Sequence, residues 1–194
     1  AYLRACGAVQ FTADIHVDGA LEIAVVRSPH HHALIDSIEL DAALQMPGVE
    51  GIMTAKDIRG TNRLKYLVDD HPVLCDRKVD VLGAPVALVA ARTAKEALGA
   101  AKAVQVTYQP LPAVRTVEEA LAPEAPQVHE GQPNLCFSQP QIKGDIESAW
   151  RDSAAIVETD FSTPLIHQAP LEPEACAAFL QGEGGEADVI TSPM

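Results

Sequence analysis

A chain of 194 residues has room for one large or two small domains, at roughly 100 to 200 residues per domain. Apolar residues at 47% and charged residues at 21% match ordinary globular usage and exclude disorder, collagen and coiled coil. With 14 Lys and Arg against 27 Asp and Glu, the formal charge of -13 sets up a field that opposes a nucleic-acid or anionic-membrane surface.

The longest apolar stretch, Val79 to Ala91, is interrupted by Asp80, Gly83 and Pro85 and falls short of the roughly 20 residues a membrane helix takes. The opening Ala1-Tyr2-Leu3-Arg4 carries no secretory signal pattern. Cys6, Cys75, Cys136 and Cys176 are spread without a C-x-x-C pair, which fits neither a disulfide scaffold nor a zinc ribbon. Reduced thiols in a cytoplasmic protein are therefore expected, with the periplasm as the alternative.

Taken in chain order, Leu21 to Val26 predicts a short buried strand. Leu34 to Leu40 predicts a second strand with Leu34, Asp36, Ile38 and Leu40 on one face. Asp41 is placed to cap a helix over Ala42 to Met46, which Pro47-Gly48 stops before a strand over Val49 to Thr54. Gly60 to Asp76 is polar and irregular and reads as a surface loop. Val79 to Ala91 reads as two strands joined at Gly83, the second of them central, with Pro85 only at its start. Thr93-Ala94-Lys95-Glu96 is a capping box that opens a helix with Ala94, Ala97, Leu98 and Ala101 as its packing stripe. Val104 to Tyr108 alternates as a half-buried strand ended by Pro110 and Pro112.

Four prolines and no sustained period between Ala122 and Pro140 mark an extended linker. Beyond it come a short helix with Ile146, Ala149 and Trp150, and strands over Ala155 to Phe161, Glu174 to Leu180 and Ala187 to Thr191. About 50 residues rarely carry a core of their own, so this stretch is expected to open a larger domain.

Little in the chain announces chemistry. In His30-His31-His32 only His30 and His32 would share a strand face, and two ligands do not complete a metal site. His16, His71, His129 and His167 are isolated in sequence. Gly182-Glu183-Gly184-Gly185 lacks the lysine and hydroxyl of a phosphate loop and reads as a hairpin turn. Cys75 and Cys136 have no adjacent base or cation to favour a thiolate. No catalytic, cofactor-binding or metal-ligating residue is assigned.

Ordered blocks nevertheless resemble the molybdenum hydroxylase family, the xanthine dehydrogenase and aldehyde oxidoreductase group. They are Phe11 to Asp14 with Gly19-Ala20-Leu21, then Ser28 to Ile35, then Ala42 to Val49 followed by Lys56-Asp57. Gly83-Ala84-Pro85-Val86-Ala87, Val104 to Pro112, Pro133-Asn134, Lys143-Gly144-Asp145 and His167 to Pro173 complete the series. The resemblance implies an α+β fold. Residues 1–121 would form an α/β hammerhead domain, 122–143 a proline-rich linker, and 144–194 the truncated start of a molybdopterin-binding domain.

By the same resemblance the chain is a fragment or split subunit of an enzyme that hydroxylates an aldehyde or aromatic heterocycle with oxygen from water. The complete enzyme would carry molybdenum on molybdopterin in its cytosine dinucleotide form, and [2Fe-2S] clusters in other domains. Its partners would be the remaining molybdopterin-binding and iron–sulfur domains or subunits, in a homodimer or heteromer. The family's G-G-x-F-G segment, late glutamate and cluster cysteines are not found in these residues, so the chain alone is expected to be inactive and to hold no cofactor. In the family's Thr-Gln position stands Thr191-Ser192-Pro193-Met194, and Leu171-Glu172-Pro173 is read as a packing or strand-entry element. The competing class is a non-catalytic hammerhead module for binding or assembly.

Overall fold

The computed structural model describes residues 2–64, 70–181 and 186–191. The chain divides into two compact units, Gly19–Pro140 and a second that joins Ala1–Asp18 to Gln141–Met194.

The first unit is α+β. One antiparallel sheet has β5 (Pro85–Ala91) between β1 (Glu22–Arg27) and β3 (Val49–Thr54). Val86, Ala87, Val89 and Ala91 are fully buried, so β5 is the expected central strand. β1 is an edge strand and only half-buried, with Ile23 56% exposed, where a buried strand was expected. A second sheet has β2 (Ala33–Glu39) between β4 (Lys78–Val79) and β6 (Gln105–Pro110). Pro110, which has no N–H to give, stands on that sheet's edge.

The expected face of β2 is corrected by a bulge. Ile35 pairs with Tyr108 and Ser37 with Thr107, which leaves Asp36 outside the ladder and exposed. The extra residue reverses the alternation, so Ile35 and Ile38 face the same way. Ile38, like Val106 of β6, then packs against two of the clusters of buried side chains, one around Val26, Ala87, Val89 and Ala100, the other around Ala33, Cys75, Val79 and Val86.

α2 (Asp41–Leu44) is a single turn preceded by Leu40, with no side-chain cap. Asp41 sits inside the first turn, where its charge favours the helix dipole instead of bonding the end. α3 (Ala94–Ala103) opens as expected, with Thr93 Oγ1 accepting from Glu96 N at 3.3 Å and donating to Glu96 Oε2 at 2.9 Å. Its buried residues are Ala97 and Ala100, whereas Leu98 is 58% exposed. Small side chains let α3 lie against β1 and β5, and the larger Leu98 is turned outward. Gly48, at φ +80, gives its carbonyl to Arg92 N, and a Cβ there would collide with the Glu96 carboxylate. Gly83, also at φ +80, turns the chain between β4 and β5, with its N–H on the Ser28 carbonyl at 2.9 Å.

The expected surface loop before β4 ends inside the core, with Leu74 and Cys75 buried. The Asn62 amide holds both the N–H and the carbonyl of Leu74, at 3.0 and 2.7 Å, and so satisfies backbone groups that burial would strand. After β6 a short helix not foreseen from the sequence, α4 (Val117–Leu121), starts at Thr116, whose hydroxyl accepts from Glu119 N at 3.1 Å.

The second unit holds α1 (Tyr2–Ala5), a 3-10 turn over Thr12–Asp14, α5 (Ile146–Asp152) and an antiparallel pair, β7 (Cys176–Gln181) with β8 (Glu186–Thr191). The strand expected over Ala155 to Phe161 does not form. That stretch is irregular, with Val157 86% and Phe161 90% exposed, because no neighbouring strand among the described residues offers it a ladder. Gly182 to Gly185, read as a hairpin turn, and Ser192 to Met194 lie outside the described residues.

Candidate functional site

The segment read as an extended linker lies as a strap on the first unit. It has no helix or strand between Ala122 and Pro140, yet it is tied down at two points. The Asn134 side chain accepts from Val128 N at 3.0 Å and donates to the carbonyls of Ala120 and Pro126 at 3.2 and 3.1 Å. At the same residue, Lys78 Nζ donates to the Val128 carbonyl. Irregular backbone that is half-buried needs such partners, and one amide side chain supplies three of them.

Beneath the strap lies a group of titratable side chains. Asp80 Oδ1 is 3.0 Å from Lys78 Nζ and 3.9 Å from His32 Nε2. His129, on the strap, puts Nε2 at 3.5 Å from Asp70 Oδ2 and Nδ1 at 4.0 Å from Asp80 Oδ2. His32 is 10% exposed in its side chain, and its Nδ1 lies 2.6 Å from the Pro112 carbonyl, so that nitrogen donates. A cavity of about 200 Å³ opens here, lined in part by Asp70, His71, Cys75, Asp80 and His129. Burial pushes the Cys75 thiol up to about 11, with the Asp80 and Asp76 charges adding to the effect. Cys75 is thus a protonated thiol of the core.

The histidines separate by role. His30 meets the Tyr108 ring edge to face at 5.0 Å, and His31 is exposed. His16 lies 3.9 Å from Asp18 at the surface, and His167 Nδ1 accepts from Ala169 N at 2.9 Å. His129 and His32 gain acidic neighbours that are far away in sequence. No three His, Cys, Asp or Glu among the described residues stand where they could hold one metal ion. The ammonium of Lys78 already occupies the Asp80 carboxylate.

In the second unit, Glu172 of the Leu171-Glu172-Pro173 block accepts from Thr12 N and Thr12 Oγ1 at 3.3 and 3.4 Å, fastening the block to the 3-10 turn near the start of the chain. A groove of about 330 Å³ runs along α5, lined in part by Lys143, Asp145, Trp150 and Ile156. Asp145 caps α5, accepting from Ser148 N at 3.1 Å and Ser148 Oγ at 2.7 Å, and the backbone bond above all holds its carboxyl below the usual range.

Molybdopterin, implied by the resemblance, carries a phosphate that needs converging N–H donors or cations. The groove offers Lys143 as its one cation, beside a carboxylate, and Phe161, Leu165 and Ile166 of the following segment stand in the open. The donor set of this groove does not fit the cofactor, and no chemical step is assigned to its residues.

Comparison with known proteins accounts for both units. Residues 6–112 match the model of the aldehyde oxidase and xanthine dehydrogenase a/b hammerhead domain, and residues 128–194 that of the molybdopterin cofactor-binding domain. The aldehyde oxidoreductase of Megalodesulfovibrio gigas is 34% identical over 95% of this chain and 22% of its own length. The nicotinate dehydrogenase large molybdopterin subunit of Eubacterium barkeri is 32% identical over 97% of this chain and 44% of its own. The solved aldehyde oxidoreductase from Desulfovibrio gigas superposes with a TM-score of 0.88, at 34% identity, over 95% of this chain and 22% of that one. The chain therefore spans between about a fifth and under a half of the length of these relatives. An α+β hammerhead of this topology, followed in order by cofactor-domain sequence, means that the chain belongs to the aldehyde oxidase and xanthine dehydrogenase family.

Proposed function

We propose that this chain is the hammerhead and the opening of the molybdopterin-binding portion of a molybdenum hydroxylase acting on an aldehyde or an aromatic heterocycle. The observation that carries the reading is the ordered match of both family segments, at residues 6–112 and 128–194. In this reading residues 1–121 carry the hammerhead sequence, 122–143 the connection and 144–194 the start of the cofactor domain. The chain contributes scaffold and not catalytic, cofactor-binding or metal-ligating side chains. Molybdopterin as the cytosine dinucleotide and [2Fe-2S] clusters belong to other parts of the enzyme, which join this chain as further domains or subunits. No helix among the described residues is long and apolar enough to cross a membrane, and the cytoplasm is the proposed location.

The test is purification of the native assembly from its source through this chain. Metal analysis and the fluorescence of oxidised pterin are expected to give about one molybdenum and one pterin per copy, with dye-linked oxidation of aldehydes or heterocycles. An assembly free of both overturns the reading in favour of a non-catalytic hammerhead module.

A further inference from the structure

We propose that the strap over residues 126–134 is a pH-operated clasp, held shut by the His129 imidazolium between Asp70 and Asp80 and loosened when that ring loses its proton. Both ring nitrogens of His129 face carboxylate oxygens, at 3.5 Å on Asp70 and 4.0 Å on Asp80. Only the imidazolium has a donor on each nitrogen. A neutral ring points one lone pair at a carboxylate and repels it.

Among the described residues, the other charged or titratable groups around the ring have these partners. Lys78, from β4, pairs with Asp80 Oδ1 and binds the Val128 carbonyl, and so leaves Oδ2 of the same carboxylate to His129. His32, before β2, lies 3.9 Å from Asp80 Oδ1 and gives its Nδ1 hydrogen to Pro112. His71 and Cys75 line the same cavity, and Cys75 is a neutral thiol throughout the range in which imidazoles titrate. Glu130 is the next residue along the strap. The clasp is therefore tight while the ring holds a hydrogen on each nitrogen and opens as the pH rises and the ring gives one up. The Asn134 and Lys78 bonds to the strap set how far it opens.

A glutamyl-specific protease reads the device directly on the full chain. Cleavage after Glu130 is divided by cleavage after the exposed Glu158, so that the protease's own pH dependence cancels. The ratio is expected to rise about fivefold between pH about 5.5 and about 8, in step with the modest strength of a partly exposed ion pair. In His129→Gln it is expected to be high and flat. A flat ratio in the wild-type chain, or a rise kept in full by His129→Gln, overturns the clasp. Far-UV circular dichroism checks folding. Should His129→Gln not fold, Asp70→Asn keeps the imidazole and removes one carboxylate: a smaller rise supports the clasp and an unchanged rise overturns it.

Discussion

Strand β5 and the segment from Ser153 to Pro173 are both rich in apolar residues, yet they end in opposite states. In β5, Val86, Ala87, Val89 and Ala91 are fully buried between two partner strands and under a helix of alanines. In the later segment, Val157, Phe161, Leu165 and Ile166 are all more than four-fifths exposed. The difference is not side-chain character, since the exposed set is the larger and more apolar. A strand exists where its backbone finds ladders on both sides, and small residues such as alanine then bury more completely than large ones without partners.

The sharpest way to break that contrast is to put the same charge in both places. Val89→Asp buries a carboxylate with no partner and is expected to cost the first unit at least about 3 kcal/mol, whereas Phe161→Asp should stay within about 0.5 kcal/mol. Denaturant titration followed by circular dichroism measures both. Equal effects would mean that Phe161 is packed.

A second pair repeats the comparison within one helix. Ala97, 1% exposed, lies against the sheet, and Leu98 beside it is 58% exposed. Ala97→Leu is expected to destabilise by about 1 to 3 kcal/mol through overpacking, and Leu98→Ala by no more than about 0.5 kcal/mol. Thermal unfolding of the two variants orders them.

The mildest probe needs no mutation. Alkylation with iodoacetamide near pH 8 should label Cys6, Cys136 and Cys176, which are exposed, well before Cys75. The Cys75 thiol is held up at about 11 against an ordinary 9.0. The unfolded chain therefore releases this proton first, and Cys75 lowers stability as the pH climbs through that window. Mass spectrometry of the labelled peptides reads the order, and rapid modification of Cys75 would show that its cavity is open to solvent.

Local signals were legible and distant ones were not. Thr93-x-x-Glu96 announced α3, and the unbroken apolar run after Pro85 announced β5, because each rests on neighbours in sequence. The same threonine-to-glutamate spacing at Thr116 and Glu119 marks α4, but the prolines that follow it hide the helix in the sequence pattern. Strand character was read into Ala155 to Phe161 from composition alone, which says nothing about whether a partner strand is present. Of the polar cluster under the strap nothing could be read. Lys78 and Val128 are 50 positions apart, and His129 looked solitary because its carboxylates arrive through tertiary folding. The family was legible through ordered blocks, none of which needed a catalytic side chain.

The bulge at Asp36 gives the fold an uneven tolerance for changes of length. Ile35 serves the buried group beneath β6 and β4, Leu40 serves the one under α3, and Ile38 touches both. Deleting Asp36, the residue the ladder already skips, would leave Ile35 and Ile38 two positions apart on one face of a regular strand, with both buried groups still served. A single gained codon here would instead turn Ile38 and Leu40 to the opposite face, so at this point the strand can lose a residue far more cheaply than it can gain one.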